Sequence, residues 1–343
     1  MEIITDSGVV GIGDSQRPES PEALCYFIRD VFSPALIGKD PSRIEDLWNS
    51  MYHLLRIRGR TKGIAVEALS AVDIALWDIA GKARQTPIYN LFGGKCRDKL
   101  AAYATEVMYG KSNGDRLNDA QDYVKKGFKA FKVAAGKDVR EDIAFLKLLR
   151  EKLGGEILIG LDANCALSLK RSLELSRSLE KYDVMWLEEP LPPEMIEDYV
   201  TLCKQTSVPI AAGESEFTMY GFRDWMTRGA LDIVQPDVGR AGGITQLKKI
   251  ASMAEAFGLE FAPHCGHGSA VTYAASVQVC ASTPNFKIFE FEQLDNPMRE
   301  GLALEKIQLD EDGTISVSNS PGIGVDLDHE FMSRHKTLEL ATP

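Results

Sequence analysis

Among its six cysteines, Cys25, Cys96, Cys165, Cys203, Cys265 and Cys280, the sequence has no CxxC pair and no zinc-ribbon spacing. A chain of 343 residues needs no disulfide staples, so reduced thiols and a cytoplasmic location are the expectation. A basic cluster is also missing: 39 Lys and Arg face 50 Asp and Glu, for a formal charge of −11. Such a balance repels phosphate backbones, and nucleic acid is not an expected partner. The opening Met1-Glu2-Ile3-Ile4-Thr5-Asp6 has neither the basic nor the apolar region of a secretory signal. The longest stretch without Asp, Glu, Lys or Arg, Phe261 to Phe286, carries His264, His267, Ser269, Gln278 and Pro284, a costly set for a lipid-facing helix, so no membrane span is expected. With 44% hydrophobic and 26% charged residues, collagen-like and disordered classes are excluded.

What is present is a repeat. From Leu100 onward, short apolar runs begin at Leu100, Ala130, Ile157, Val184, Pro209, Leu231, Leu259 and Phe286, 22 to 30 residues apart. That spacing is near the ~30 residues of a βαβ unit. The segments between them have helical periodicity: Ile143, Leu146, Leu149 and Leu153 share one face, as do Ile244, Leu247, Ile250, Ala254 and Phe257, the latter closed by Gly258. Eight alternating units predict an α/β fold with a closed (β/α)8-type barrel.

The ends depart from the repeat. Residues 1–95 carry a short alternating run with Gly8, Gly11 and Gly13, then helical patterns at Pro21 to Leu36, Ile44 to Leu55 and Ile64 to Ala83. Residues 96–300 hold the barrel. In 301–343, strand-like runs at Lys306 to Leu309 and Thr314 to Val317 flank a turn at Asp310-Glu311-Asp312-Gly313. Neither end has apolar surface enough to stand alone, so the two are expected to form one small α+β capping domain.

Barrel active sites lie at the C-terminal ends of strands. Three successive runs end in acids here: Asp162 with Asn164 after the third, Glu188-Glu189-Pro190 after the fourth, Glu214 after the fifth. A lone acid at such a place is more often a helix N-cap. Three together repel one another unless a cation neutralises them, and all-oxygen ligation points to a hard divalent ion such as Mg2+. In the second run, alternation puts Lys132 beside Ala130 and Ala134, facing inward, and leaves Lys129 as a surface lysine. Asp237 ends the sixth run and His264 the seventh; a carboxylate that fixes an imidazole makes a candidate general base. His53, His329 and His335 lie outside the barrel, and His267 is read as loop lining. The eighth run offers Glu290 or Glu292.

In this order the residues resemble the enolase superfamily and, within it, the mandelate racemase and muconate lactonizing enzyme branch. The likeness includes Glu67-Ala68 through Asp73, Ala75 to Ala83, Pro87, Leu91-Phe92-Gly93-Gly94, Leu187-Glu188-Glu189-Pro190, Gly213-Glu214, Gln235-Pro236-Asp237, Gly242-Gly243 and Pro321-Gly322-Ile323-Gly324. It implies Mg2+ on Asp162, Glu188 and Glu214, His264 with Asp237 as the base, Glu290 bonded to a substrate carboxylate, and Asn164 near the metal or substrate. Mg2+ on a carboxylate would stabilise the enediolate formed when the α-proton leaves.

Two departures shape the expectation. Ala134 stands where the branch commonly has the second lysine of Lys-x-Lys, so two-base racemisation is disfavoured, and Lys132 adds positive charge at the substrate carboxylate. What remains resembles the sugar-acid dehydratases: His264 takes the α-proton and a β-hydroxide departs. The small-molecule substrate is then an aldonic or aldaric acid and the assembly a homo-oligomer, with a racemase, epimerase or cycloisomerase as the alternative. The resemblance also implies a strand and a substrate-covering loop before the start of this chain. On that expectation the cap is truncated, and a non-catalytic carboxylate-binding homologue is the alternative from another class.

Overall fold

The computed structural model describes residues 1–16, 20–107, 111–336 and 338–341. At the N-terminus β1 (Glu2–Ile4) and β2 (Val10–Ile12) form an antiparallel hairpin. Helical segments follow at Pro21–Phe27, continued by a π turn at Ile28–Phe32 and by Ser33–Leu36, then at Ile44–Arg56 and Ile64–Ala83. The last of these is buried along almost its whole length, as suits a helix with apolar residues on every face, and its buried polar side chains Ser70, Asp73 and Asp78 each have hydrogen-bond partners. Two glycines of the hairpin make close packing on it possible. A Cβ on Gly11 would stand 2.2 Å from the Ala75 carbonyl oxygen, and one on Gly13 1.9 Å from that of Ala71.

Eight parallel strands follow: β3 (Lys99–Val107), β4 (Ala130–Ala134), β5 (Leu158–Asp162), β6 (Trp186–Glu188), β7 (Ile210–Ala212), β8 (Ile233–Val234), β9 (Glu260–Phe261) and β10 (Phe289–Phe291). They pair in the order β10-β3-β4-β5-β6-β7-β8-β9. A parallel bridge between Phe261 and Phe286 joins the two ends of that order, with the Lys287 N–H donating to the Phe261 carbonyl at 2.8 Å. The eight runs of the repeat are therefore these eight strands. Tyr103, Ala130, Met185, Trp186, Ala211, Ile233, Ala262 and Ile288 form a separate small cluster, two from the fourth strand run and one from each of the others except the third, where Gly160 leaves room for the Trp186 ring. This is the side-chain filling expected inside a barrel.

β11 (Thr314–Ser316) pairs antiparallel with the start of β3. The run Lys306 to Leu309, expected as a strand, makes no ladder. The turn returns Thr314 to the β3 edge, and Ile307 and Leu309 are instead half-buried against the core. Further on, the Ile323 N–H donates to Asp78 of the helix Ile64–Ala83 at 2.9 Å, and the same carboxylate accepts the Ile12 N–H of β2 at 3.0 Å. One buried acid thus ties hairpin, helix and C-terminal segment together, with Lys82 at 2.8 Å balancing its charge.

Candidate active site

Strand register carries three carboxylates to one rim. Asp162 ends β5 and lies level with Glu188, which ends β6, and Glu214 stands two residues beyond β7. One oxygen from each lies within 4.8 Å of the others. This all-oxygen, three-acid donor set fits a hard divalent cation. Lys132 of β4 is buried and points to the same place, 3.1 Å from Asp162, 2.5 Å from Glu188 and 3.3 Å from Glu290. The second Glu188 oxygen accepts from the Trp186 indole and the Gln235 amide, both at 2.8 Å.

The other half of the site comes from the next three strand ends. His264 Nδ1 lies 2.8 Å from Asp237, and its Nε2 lies 3.4 Å from Glu214 and 3.9 Å from Glu290. Glu290 therefore stands between Lys132 and His264. Asp237 is held in turn by the Gly239 N–H at 2.7 Å, and Glu290 accepts the Cys265 and Gly266 N–H groups at 2.7 and 3.2 Å. Asn164 is exposed, and its backbone N–H donates to Asp162 at 2.9 Å. His267 is exposed and meets Glu292, not the carboxylate cluster.

Charge sets the protonation states. Burial works against a charged Lys132, but Glu188 and Glu290 outweigh it and hold the ammonium well above the usual lysine range. Burial likewise opposes an imidazolium at His264, and Glu214, Glu290 and Asp237 overcome it. Burial pushes Glu188 up, Lys132 pulls it back, and the neighbouring acids push it again. Burial also opposes the Glu290 charge, yet Lys132 and His264 bring its carboxyl down to about 2.

Two residues near the site escaped the sequence reading. Glu189 is buried, accepts the Cys165 S–H at 3.2 Å and is raised to about 7 by burial and the Glu214 charge. Its sequence signal, adjacency to Glu188, does not say which of the two acids meets the cluster. Gln16 comes from the cap: its amide lies 3.4 Å from His264 Nδ1 and donates to the Gly266 carbonyl at 3.3 Å. A Cβ on Gly239 would stand 2.2 Å from the Gln16 nitrogen, so glycine there lets the cap segment down onto the base. No local pattern reveals a contact across 248 residues.

Residues 1–93 match the family model for the mandelate racemase / muconate lactonizing enzyme N-terminal domain, and residues 115–331 match the enolase C-terminal domain-like model. The chain belongs to the mandelate racemase / muconate lactonizing enzyme family of the enolase superfamily. It is 37% identical to an arabinonate dehydratase of Saccharolobus solfataricus over 94% of this chain and 86% of that protein. It is 32% identical to a D-galactarolactone cycloisomerase of Agrobacterium fabrum over 98% of this chain and 90% of the other. A racemase from Streptomyces coelicolor A3(2), solved with bound magnesium, superposes with a TM-score of 0.88 at 30% identity, covering 97% of this chain and 90% of that one. The family has members named for three reaction types, so membership makes this chain an enolase-superfamily enzyme without selecting among them.

Proposed function

We propose that the protein is a Mg2+-dependent dehydratase of an aldonic or aldaric acid. Asp162, Glu188 and Glu214 would hold the ion. When bound, Mg2+ would neutralise these acids, weaken the negative field that favours protonated His264, and stabilise the charge that develops on a substrate carboxylate.

The remaining chemistry belongs to the chain. Lys132 presents its ammonium from β4 to the same carboxylate. Asp237, bonded to Nδ1, holds the imidazole so that Nε2 faces the site, and Nε2 takes the α-proton. Glu290, ionised between Lys132 and His264, fixes the ammonium and the imidazole that flank the carboxylate. The imidazolium then returns its proton to the β-hydroxide as the C–O bond breaks. Water leaves, and the resulting enol tautomerises to a 2-keto-3-deoxy acid.

The observation that carries this reading is the one-sidedness of the proton-transfer groups. His264 has its Asp237 partner, whereas β4 supplies Lys132 and then the small buried Ala134, which has no group to deliver a proton to the second face. The arabinonate dehydratase relative supports a sugar-acid substrate. A cycloisomerase reading is kept open by the galactarolactone relative, since one base and one acid also serve that reaction. Incubating the protein and Mg2+ with a panel of aldonic and aldaric acids and their lactones, and assaying 2-keto-3-deoxy acids, separates the two. A keto acid is the expected product; a lactone opened or isomerised without loss of water contradicts dehydration.

A further inference from the structure

Glu292, two residues after Glu290 and just beyond β10, is buried but lies outside the carboxylate cluster. One of its oxygens accepts the His267 N–H at 3.0 Å and lies 2.9 Å from His267 Nδ1; the other lies 2.9 Å from Arg299 Nη1. Its own backbone N–H donates to the Tyr273 hydroxyl at 3.0 Å. Arg299, almost covered, belongs to the short helix Pro297–Gly301, and Asn296 ahead of that helix donates to the Gly268 carbonyl at 3.0 Å.

These contacts surround one loop. Three consecutive backbone N–H groups, those of Cys265, Gly266 and His267, point to the two acids of the eighth strand, the first two to Glu290 and the third to Glu292. His267 has a positive φ of 58°, a conformation that costs a non-glycine residue and persists where the surroundings hold it. The loop begins at His264. We propose that Glu292, fixed by Arg299, is a positioning residue that locks the 265–268 loop and thereby holds the His264 imidazole against Asp237.

The proposal deepens the reading of His264 as the base and rests on it for its catalytic meaning, but its geometry is testable without a substrate. A His264 Nδ1–H donated to Asp237 is expected to give a low-field proton resonance, to be assigned by its disappearance in Asp237→Ala. In the full chain with saturating Mg2+, Glu292→Ala is expected to broaden or abolish that resonance. Hydrogen exchange at the amides of Cys265, Gly266 and His267 should become about tenfold faster, as for the loss of one net hydrogen bond. Glu292→Gln, which keeps the side-chain volume, carries the same test should the alanine variant not fold. Glu300→Ala, which removes only an exposed partner of Arg299, should leave both signals unchanged. An unchanged resonance with unchanged loop exchange in the Glu292 variants overturns the proposal. Undiminished turnover in His264→Asn, with the Glu292 effects present, would instead remove the base assignment and leave the loop lock standing.

Discussion

At the scale of the residue, the site depends on a few charges that are unfavourable alone. Asp162, Glu188 and Glu214 were legible in the sequence because each follows an apolar run, and strand register then places them on one rim. Asp162→Ala removes one of the three proposed metal ligands and should abolish the thermal stabilisation that Mg2+ is expected to give the wild type, as read by calorimetry. An unchanged Mg2+ affinity would refute the assignment. His264→Asn should lower turnover by about 10^3-fold, within the range of a lost general base, while Mg2+ stabilisation persists; retained turnover would move the base to Lys132. Glu189 and Gln16 were not legible. Which of two adjacent acids turns toward a cluster depends on the backbone at the strand end, here a φ of 33° at Glu189. Gln16 reaches His264 only because the cap is docked.

At the scale of the element, periodicity located all eight barrel strands and the bounds of the helix Ile64–Ala83, because burial on one or all faces imposes a regular pattern. It failed at Lys306 to Leu309, where half-burial of Ile307 and Leu309 produces strand-like alternation without a partner edge. The contact between the helix Ile64–Ala83 and the barrel has its own pH signature. Asp73 accepts the Thr245 N–H at 2.8 Å and its hydroxyl at 2.6 Å, yet burial raises its carboxyl to about 7. A raised acid favours the folded state while protonated. Its contribution is complete below the unfolded aspartate pKa of about 4 and is lost as pH rises to and through the folded value. Asp73→Asn should therefore flatten the fall in melting temperature between about pH 4 and 7; parallel wild-type and variant curves would contradict this. Packing of the hairpin gives a second prediction. Gly13→Ala puts a methyl 1.9 Å from the Ala71 carbonyl and should lower stability by about 1–3 kcal/mol, read as a lower urea midpoint with an unchanged slope.

At the scale of the whole molecule, cap and barrel act on one another through the segment after β8. The Trp48 indole donates to the Gly242 carbonyl and the Gly242 N–H to Ser70, while Asp73 holds Thr245. The same segment begins with Asp237 and seats Gln16 over His264. The barrel was legible from the repeat alone, whereas this docking depends on glycines whose role is to have no side chain. Among the described residues no helix is long and apolar enough to cross a membrane.

Under the proposed function, His264 abstracts an α-proton from a sugar acid in a Mg2+-dependent way. The most direct test follows the α-proton signal of each acid in a panel of aldonates and aldarates by NMR in D2O, with Mg2+ or with chelator, in the wild type and in His264→Asn. Loss of the signal from at least one acid, with a 2-keto-3-deoxy product, is expected only when both Mg2+ and His264 are present. Loss that persists in the chelated enzyme or in His264→Asn would contradict the proposed function.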